Sequence, residues 1–343
     1  MPDPILSIKD LVVEFKTEDG IVHAVDGVSY DIFPGETVGI VGESGSGKSV
    51  STLALLGLIP LPPGRIVSGT AMFKGKDLLR LKKKELRRVR GNDVAMIFQD
   101  PMTSLNPVLT VGAQLGEAIK THFPDVKDEA VKQRVIEMLR LVGVPNAETR
   151  YGQYPHEFSG GMRQRVMIAM AITNSPSLLI ADEPTTALDV TIQAQVLEVM
   201  KRVQAETHAA TIMITHDLGI VAEMCDRVLV MYAGHIVESG DVQTIFRSPR
   251  HPYTIGLMNS LPKLTEDEEW LEPITGSPPS LIDLPTGCPF HPRCFLAQEK
   301  CRQENPPLVQ VEGAGPTSAH LSACHFSHEL IGRKTKFSEE AVA

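Results

Sequence analysis

Short apolar stretches alternate with turns through residues 5–41, with breaks at Glu18-Asp19-Gly20 and Pro34-Gly35, a pattern that predicts a β-rich start. The last of these stretches, Thr37-Val38-Gly39-Ile40-Val41, is apolar enough to read as a buried strand, and Val50 to Leu58 reads as a helix. Another strand is predicted over Val94 to Phe98, ending in Gln99. Residues 107–157 are helical in pattern, with periodic apolar positions through Val131 to Leu141 and a stop near Gly143-Val144-Pro145. Strands return at Leu178 to Ala181, Thr211 to Ile214 and Arg227 to Met231. Runs that are apolar throughout and alternate with helices predict an α/β fold with a parallel sheet covered on both faces. The stretch 107–157 interrupts that alternation and reads as a helical subdomain inserted at about 100–160. After Leu261 Pro, Gly and Cys rise and periodicity fades, which divides the chain into a main domain, 1–260, and an appendage, 261–343. No internal repeat is visible.

Composition narrows the class. The chain has 343 residues, long enough for one large domain and a smaller one, and its 42% hydrophobic content is ordinary for a soluble protein. No uncharged apolar run approaches the roughly 18 residues that a membrane span needs, and Met1-Pro2-Asp3-Pro4 is no signal peptide. A cytosolic location is expected, with docking on a membrane component open. The net charge of −9 argues against a general nucleic-acid coat. The basic run Arg80 to Arg90 reads as a solvated helix face in preference to a lipid-headgroup or partner contact.

The chemistry starts at Gly42-Glu43-Ser44-Gly45-Ser46-Gly47-Lys48-Ser49, which matches the phosphate-loop pattern between a strand and a helix. Its glycines let backbone N–H groups wrap a triphosphate, Lys48 can reach the β- and γ-phosphates, and Ser49 can bind Mg²⁺. The strand Leu178 to Ala181 ends in Asp182-Glu183. Two carboxylates there can divide the duties of ATP hydrolysis, Asp182 toward Mg²⁺ and Glu183 toward the attacking water. An acidic turn is the bland alternative, and the phosphate loop tips the balance against it. Ser159-Gly160-Gly161-Met162-Arg163-Gln164 opens an apolar helix. Taken alone it is a capped helix entry; beside a phosphate loop it is a second anion site, for a second nucleotide or for a neighbour's.

Together these motifs resemble the ATP-binding subunits of ABC transporters over nearly all of residues 5–262. Gln99 resembles the Q-loop glutamine, Ser159 to Gln164 the signature motif, Ala187-Leu188-Asp189 the D-loop, and Thr215-His216-Asp217 the switch-histidine loop. Phe15 sits where the family places an adenine-stacking aromatic, with His23 as a rival. The signature reads Phe158-Ser-Gly-Gly-Met in place of Leu-Ser-Gly-Gly-Gln, but keeps the serine and glycines that would face phosphate. The resemblance implies a P-loop NTPase fold with a RecA-like core. It also implies head-to-tail pairing, in which the phosphate loop of one subunit and the Ser159-Gly160-Gly161 turn and Asp189 of another enclose ATP. Glu183 would then position water, His216 would contact the γ-phosphate, and Gln99 would link Mg²⁺ to the helical subdomain that grips membrane subunits. Phe98 to Pro107, His251-Pro252-Tyr253-Thr254, Ser260-Leu261-Pro262 and Gly287 to Cys294 are similar to the dipeptide, oligopeptide and nickel importer group, of its "D" type. That likeness implies a heterodimer with a second ATPase, two transmembrane permease subunits and an extracytoplasmic peptide-binding protein, with this chain peripheral on the cytoplasmic face of the inner membrane. A nickel or other small-solute importer, and further off a non-transport ABC ATPase, are the alternatives.

Four of the five cysteines lie after residue 287, spaced C-x5-C-x6-C-x22-C at Cys288, Cys294, Cys301 and Cys324. Clustering favours a local metal site over a disulfide framework. Spacing leaves zinc and a [4Fe–4S] cluster equally open, with His291, His320 and His325 available for a mixed zinc site. The resemblance to importer tails implies the cluster. Cys225, alone in a helical pattern, reads as a small core residue.

Overall fold

The computed structural model describes residues 3–100, 104–186, 188–260, 274–311 and 319–333. The chain forms two compact units interleaved in sequence. Pro101 to Thr103, Ala187, Leu261 and Pro262, all part of motifs noted above, lie outside the described residues.

The first unit comprises Met1–Leu6, Ile32–Thr37 and Phe73–Ile214. Its strands Val94–Ile97, Leu178–Asp182 and Ala210–Ile214 pair in parallel, with Val94 opposite Leu178 and Leu178 opposite Ala210. The central strand is buried from Leu178 to Ala181, as a strand covered on both faces must be. The stretch between these strands is helical, as Val111–His122, Asp128–Leu141 and Ala147–Arg150, followed by Gly160–Ile172. Thr110 caps the first of these through its hydroxyl, which accepts from the Ala113 amide at 3.3 Å. Asp128 and Glu129 lie in the first turn of the second, where acidic side chains meet the positive end of the helix. That helix stops at Leu141, and Gly143 then takes a φ of 72°. Val131, Val135 and Leu139 are buried, the stripe that the periodicity predicted, and Leu115 and Ile119 of the preceding helix are buried as well. The basic run becomes a short helix, Lys83–Val89, that buries Leu86 and Val89 and leaves its cations in solvent.

The second unit comprises Ser7–Asp31, Val38–Met72 and Thr215–Ala343. Strand Leu6–Lys16 lies between Ile21–Ile32 and Gly64–Phe73 in one sheet. In another, Thr37–Val41 pairs in parallel with Arg227–Tyr232, which pairs antiparallel with His235–Asp241. The tail strand Leu321–Ser322 adds to His235–Asp241, and Val309–Gln310 adds to it in turn, both antiparallel. The expected parallel sheet is therefore antiparallel at this edge. The helix after the phosphate loop runs Lys48–Leu55, starting earlier and ending earlier than its apolar pattern suggested. Cys225 follows the helix Leu218–Met224 and packs on Gly39, where an added Cβ would stand 3.1 Å from its sulfur. Burial pushes its thiol up to about 12, so it is the inert core residue expected. Among the described residues no helix is long and apolar enough to cross a membrane.

Candidate nucleotide site

In the second unit the phosphate loop leaves the buried strand Thr37–Val41 and enters Lys48–Leu55 through Gly47. Gly42 has a φ of 154°, and a Cβ there would lie 2.2 Å from the Met231 carbonyl oxygen. Gly47 has a φ of 98°, and its Cβ would lie 2.2 Å from the Ala24 oxygen. Only glycine fits either place, which is the close backbone approach a phosphate cradle requires. No side chain caps the helix start. Lys48 is 6% exposed, and its Nζ donates to the carbonyls of Gly42 at 2.7 Å and Glu43 at 2.9 Å, with Ser46 Oγ at 3.5 Å. The ammonium thus stands inside the cradle, where β- and γ-phosphate oxygens would meet it. Ser49 is half-buried on the first helical turn, and Ser44 and Gly45 are exposed at the loop's tip.

Two ties hold the loop from the C-terminal side of the same unit, and neither was visible in the sequence. The Tyr253 hydroxyl accepts from the Glu43 amide at 2.8 Å. Arg293 donates to both carboxylate oxygens of Glu43, at 2.7 and 2.9 Å. Tyr253 belongs to the His251-Pro252-Tyr253 motif, and its role is now clear. His251 starts the helix Pro252–Asn259, its Nδ1 accepting from the Tyr253 amide at 3.1 Å, and Tyr253 packs on Tyr232 and Phe290 with ring centroids 4.6 and 5.4 Å away.

Also in this unit, Phe15 is half-buried near the end of the strand Leu6–Lys16, and the rival His23 engages Glu14 at 3.3 Å. His216 is exposed between Thr215 and Asp217. The Thr215 hydroxyl accepts from the Asp217 amide, and Asp217 caps Leu218–Met224 by accepting from Gly219 and Ile220. The histidine is therefore carried on a fixed turn.

In the first unit the structure brings Gln99 and Glu183 together: Gln99 Nε2 donates to Glu183 Oε2 at 3.1 Å. The Thr186 hydroxyl donates to the same oxygen at 2.8 Å, and the Glu183 amide donates to the Ile214 carbonyl. Glu183 has a φ of 46°, a left-handed backbone that costs a non-glycine residue about 1–3 kcal/mol and concentrates at functional sites. Asp182 ends the strand beside Ile214. Ser159 caps Gly160–Ile172, its Oγ accepting from the Met162 amide at 3.4 Å, and a Cβ on Gly161 would meet Ile192 at 2.6 Å. Among the described residues nothing lies within 4 Å of a Cβ on Gly160, so that face of the turn is open to them. Gln164, buried to 1% exposure, donates to the Pro184 carbonyl at 2.6 Å and binds the signature helix to the Glu183 turn. Asp189 caps the helix Val190–Thr207 and is exposed, while Ala187 of its motif is outside the described residues.

The tail cysteines converge without forming a ligand set. Cys288, Cys294, Cys301 and Cys324 line one cavity, with Phe290, Leu296 and Pro306 among its walls, and none forms a disulfide. Yet among the described residues no group of three or more His, Cys, Asp or Glu side chains is placed to hold a metal ion. The cavity measures about 10 Å³, room for one water-sized sphere and too small for an iron–sulfur cluster as the thiols are packed. Burial pushes Cys294 up to about 11 and Cys324 up to about 12, so in this packing they are thiols. His320 leaves the mixed zinc set, because it is buried against Glu238 at 2.7 Å.

A glycine-lined phosphate loop, a Gln99-bound glutamate at a strand end and a serine-capped signature helix define a P-loop ATPase of the ABC transporter class. Comparison with known proteins agrees. Residues 25–186 match the ABC transporter family and residues 237–301 the oligopeptide/dipeptide transporter C-terminal region. The oligopeptide transport ATP-binding protein OppD of Bacillus subtilis is 54% identical over 90% of this chain and 86% of its own length. The dipeptide transport ATP-binding protein DppD of Escherichia coli is 50% identical over 96% and 99%. Among solved structures, the ATP-binding cassette MJ0796, a dimer in a post-hydrolysis state bound to ADP and Pi, aligns with a TM-score of 0.62 at 25% identity, covering 69% of this chain and 98% of that one. The chain belongs to the family of ATP-binding subunits of oligopeptide and dipeptide ABC transporters, which hydrolyse ATP to drive transport.

Proposed function

We propose that this chain binds and hydrolyses ATP for a peptide importer, with each site residue in the role its motif implies. Lys48 and the amides of residues 42–49 receive the triphosphate, and Phe15 stacks on the base. Ser49, Asp182 and Gln99 hold Mg²⁺, which supplies charge neutralisation at the β- and γ-phosphates when bound. Glu183 orients and polarises the attacking water. His216 contacts the γ-phosphate. Ser159, Gly160, Gly161 and Asp189 face the nucleotide on a partner's phosphate loop, so ATP favours a closed dimer and hydrolysis removes that bias. The partner in this reading is a second, different ATPase, beneath two permease subunits on the cytoplasmic face of the inner membrane and fed by an extracytoplasmic peptide-binding protein. Support comes from the peptide-transport relatives and from the match of residues 237–301 to the oligopeptide/dipeptide transporter C-terminal region.

One observation carries the chemical assignment: the Glu183 carboxylate, on a left-handed backbone, is aimed by Gln99 and Thr186. Those hydrogen bonds fix its direction. Replacing Glu183 by Gln keeps the shape and removes the base. ATP binding should persist while turnover in the assembled complex falls by about 10²–10⁴. Turnover within twofold of the parent would refute the role.

The four tail cysteines are also proposed to hold a thiolate-bound group, a [4Fe–4S] cluster or zinc. Four soft donors around one apolar-walled cavity support that reading, and loading would require the thiols to swing apart and lose their protons.

A further inference from the structure

We propose that Arg293 makes the C-terminal tail part of the nucleotide site: it neutralises Glu43 and so keeps the phosphate loop receptive to a triphosphate. The inference rests on reading residues 42–49 as the nucleotide cradle and goes beyond it, since nothing in that reading assigns a role to the tail.

Glu43 places a carboxylate inside an anion-binding loop, next to the glycine whose carbonyl Lys48 grips. Unopposed, that charge would repel the phosphates the loop exists to bind. Arg293 opposes it with a two-pronged contact, the geometry that suits guanidinium to carboxylate and that lysine cannot reproduce. The guanidinium is itself fixed. Its side chain is 5% exposed, its Nε donates to the Thr275 carbonyl at 3.1 Å, and its carbon lies 5.8 Å from the centre of the Tyr232 ring. These contacts come from the loop, from Tyr232 and from the tail itself. A cavity of about 140 Å³ opens at this junction, lined by Glu43, Ser44 and Ser46 on the loop side and by Pro278, Pro279 and Leu281 of the tail. Because Arg293 precedes Cys294 directly in the chain, its position is set by the fold of the cysteine segment. Arg293 is a positioning residue, acting on ATP through Glu43.

The test is ATP affinity of the full chain, measured by titration at low and at high salt. Arg293→Ala should raise the Kd for ATP about tenfold at low salt, and the loss should shrink as salt screens the exposed carboxylate. The pair Glu43→Gln/Arg293→Met, which carries neither charge, should recover to within about threefold of the parent. A structural role alone would leave the pair as weak as Arg293→Ala, with no salt dependence, and that result overturns the proposal, as does an unchanged Kd in Arg293→Ala. Should Arg293→Ala fail to fold, Glu43→Gln alone decides: with Arg293 released from its partner it should bind ATP more tightly at low salt, and equal or weaker binding overturns the idea. Lys48→Ala is the control for the underlying reading. If it binds ATP as the parent does, the cradle assignment fails and takes this inference with it.

Discussion

Tyr253→Phe isolates one hydrogen bond between the tail-side helix and the phosphate loop. The substitution deletes a single oxygen and leaves the ring, so the packing on Tyr232 at 4.6 Å and Phe290 at 5.4 Å survives and no cavity opens. What is lost is the acceptor for the Glu43 amide, 2.8 Å away. An orphaned buried donor costs about 1–3 kcal/mol, and the Glu43 side chain is 27% exposed, so water reaches the neighbourhood and the lower half of that range applies. The expected loss is about 1–2 kcal/mol in urea unfolding of the full chain. In a thermal scan that is a fall of roughly 2–8 °C, at about 2–4 °C per kcal/mol for a domain of this size. Burial is also the main reason the hydroxyl resists ionisation, so it stays neutral across the working pH range and the measured loss reports a neutral acceptor. The reasoning fails if Tyr253→Phe is as stable as the parent within about 0.3 kcal/mol, because the Glu43 amide would then have had another partner all along.

Two further outcomes are expected. His251 is fully buried, and burial lowers its ring to about 3 from the ordinary 6.5, so it is neutral in the fold; the unfolded chain binds the extra proton below pH 6.5, and stability falls there by about 1.4 kcal/mol per pH unit while staying flat above. His251→Asn, which keeps an acceptor for the Tyr253 amide, should take about 1.4 kcal/mol per pH unit off that acid-side slope in urea titrations at pH 5.0–6.5, leaving the share of His235, which burial also lowers, and an unchanged slope would refute the assignment. Protein purified without oxygen should carry iron or zinc that falls when Cys288 and Cys294 are replaced by serine; full-length protein with four titratable tail thiols and no metal would end the thiolate-site reading.

The parts legible in the sequence are those whose chemistry is local. The phosphate loop declares itself because eight consecutive residues must make one backbone shape, and Asp182-Glu183 because an apolar strand that ends in two carboxylates has few other uses. The insert helices follow from periodicity alone, since Val131, Val135 and Leu139 all face one core. The strand His235–Asp241 was missed for a physical reason. It buries Glu238 and Ser239, which breaks the apolar run, and the compensation lies 82 positions away at His320, whose ring engages Glu238 at 2.7 Å. Strand Gly64–Phe73 has mostly half-exposed or exposed residues and no buried run to betray it. The Arg293–Glu43 pair spans 250 positions, and no spacing rule reaches that far. The cysteine spacing foretold that Cys288, Cys294, Cys301 and Cys324 converge on one cavity; it could not foretell their packing, in which no group of three or more ligating side chains among the described residues is placed to hold an ion.

Within the first unit the residues predicted to serve different nucleotides are mechanically one piece. The signature helix Gly160–Ile172 begins at Ser159 and, one turn in, inserts Gln164 to donate to the Pro184 carbonyl at 2.6 Å. Pro184 follows Glu183, whose carboxylate is bound by Gln99 and Thr186. Moving Ser159 relative to this turn would orphan a fully buried amide at a cost of about 1–3 kcal/mol, more than most surface contacts supply. On the proposed pairing, a phosphate seated on Ser159 therefore pulls on the same rigid piece that aims Glu183. Gly161 adds to this rigidity by letting Ile192, from the helix that Asp189 caps, pack against the signature turn at a distance no side chain would permit. These contacts couple the signature turn to the glutamate and to the helix that Asp189 caps, which on the proposed pairing lets engagement at one nucleotide be felt at the other.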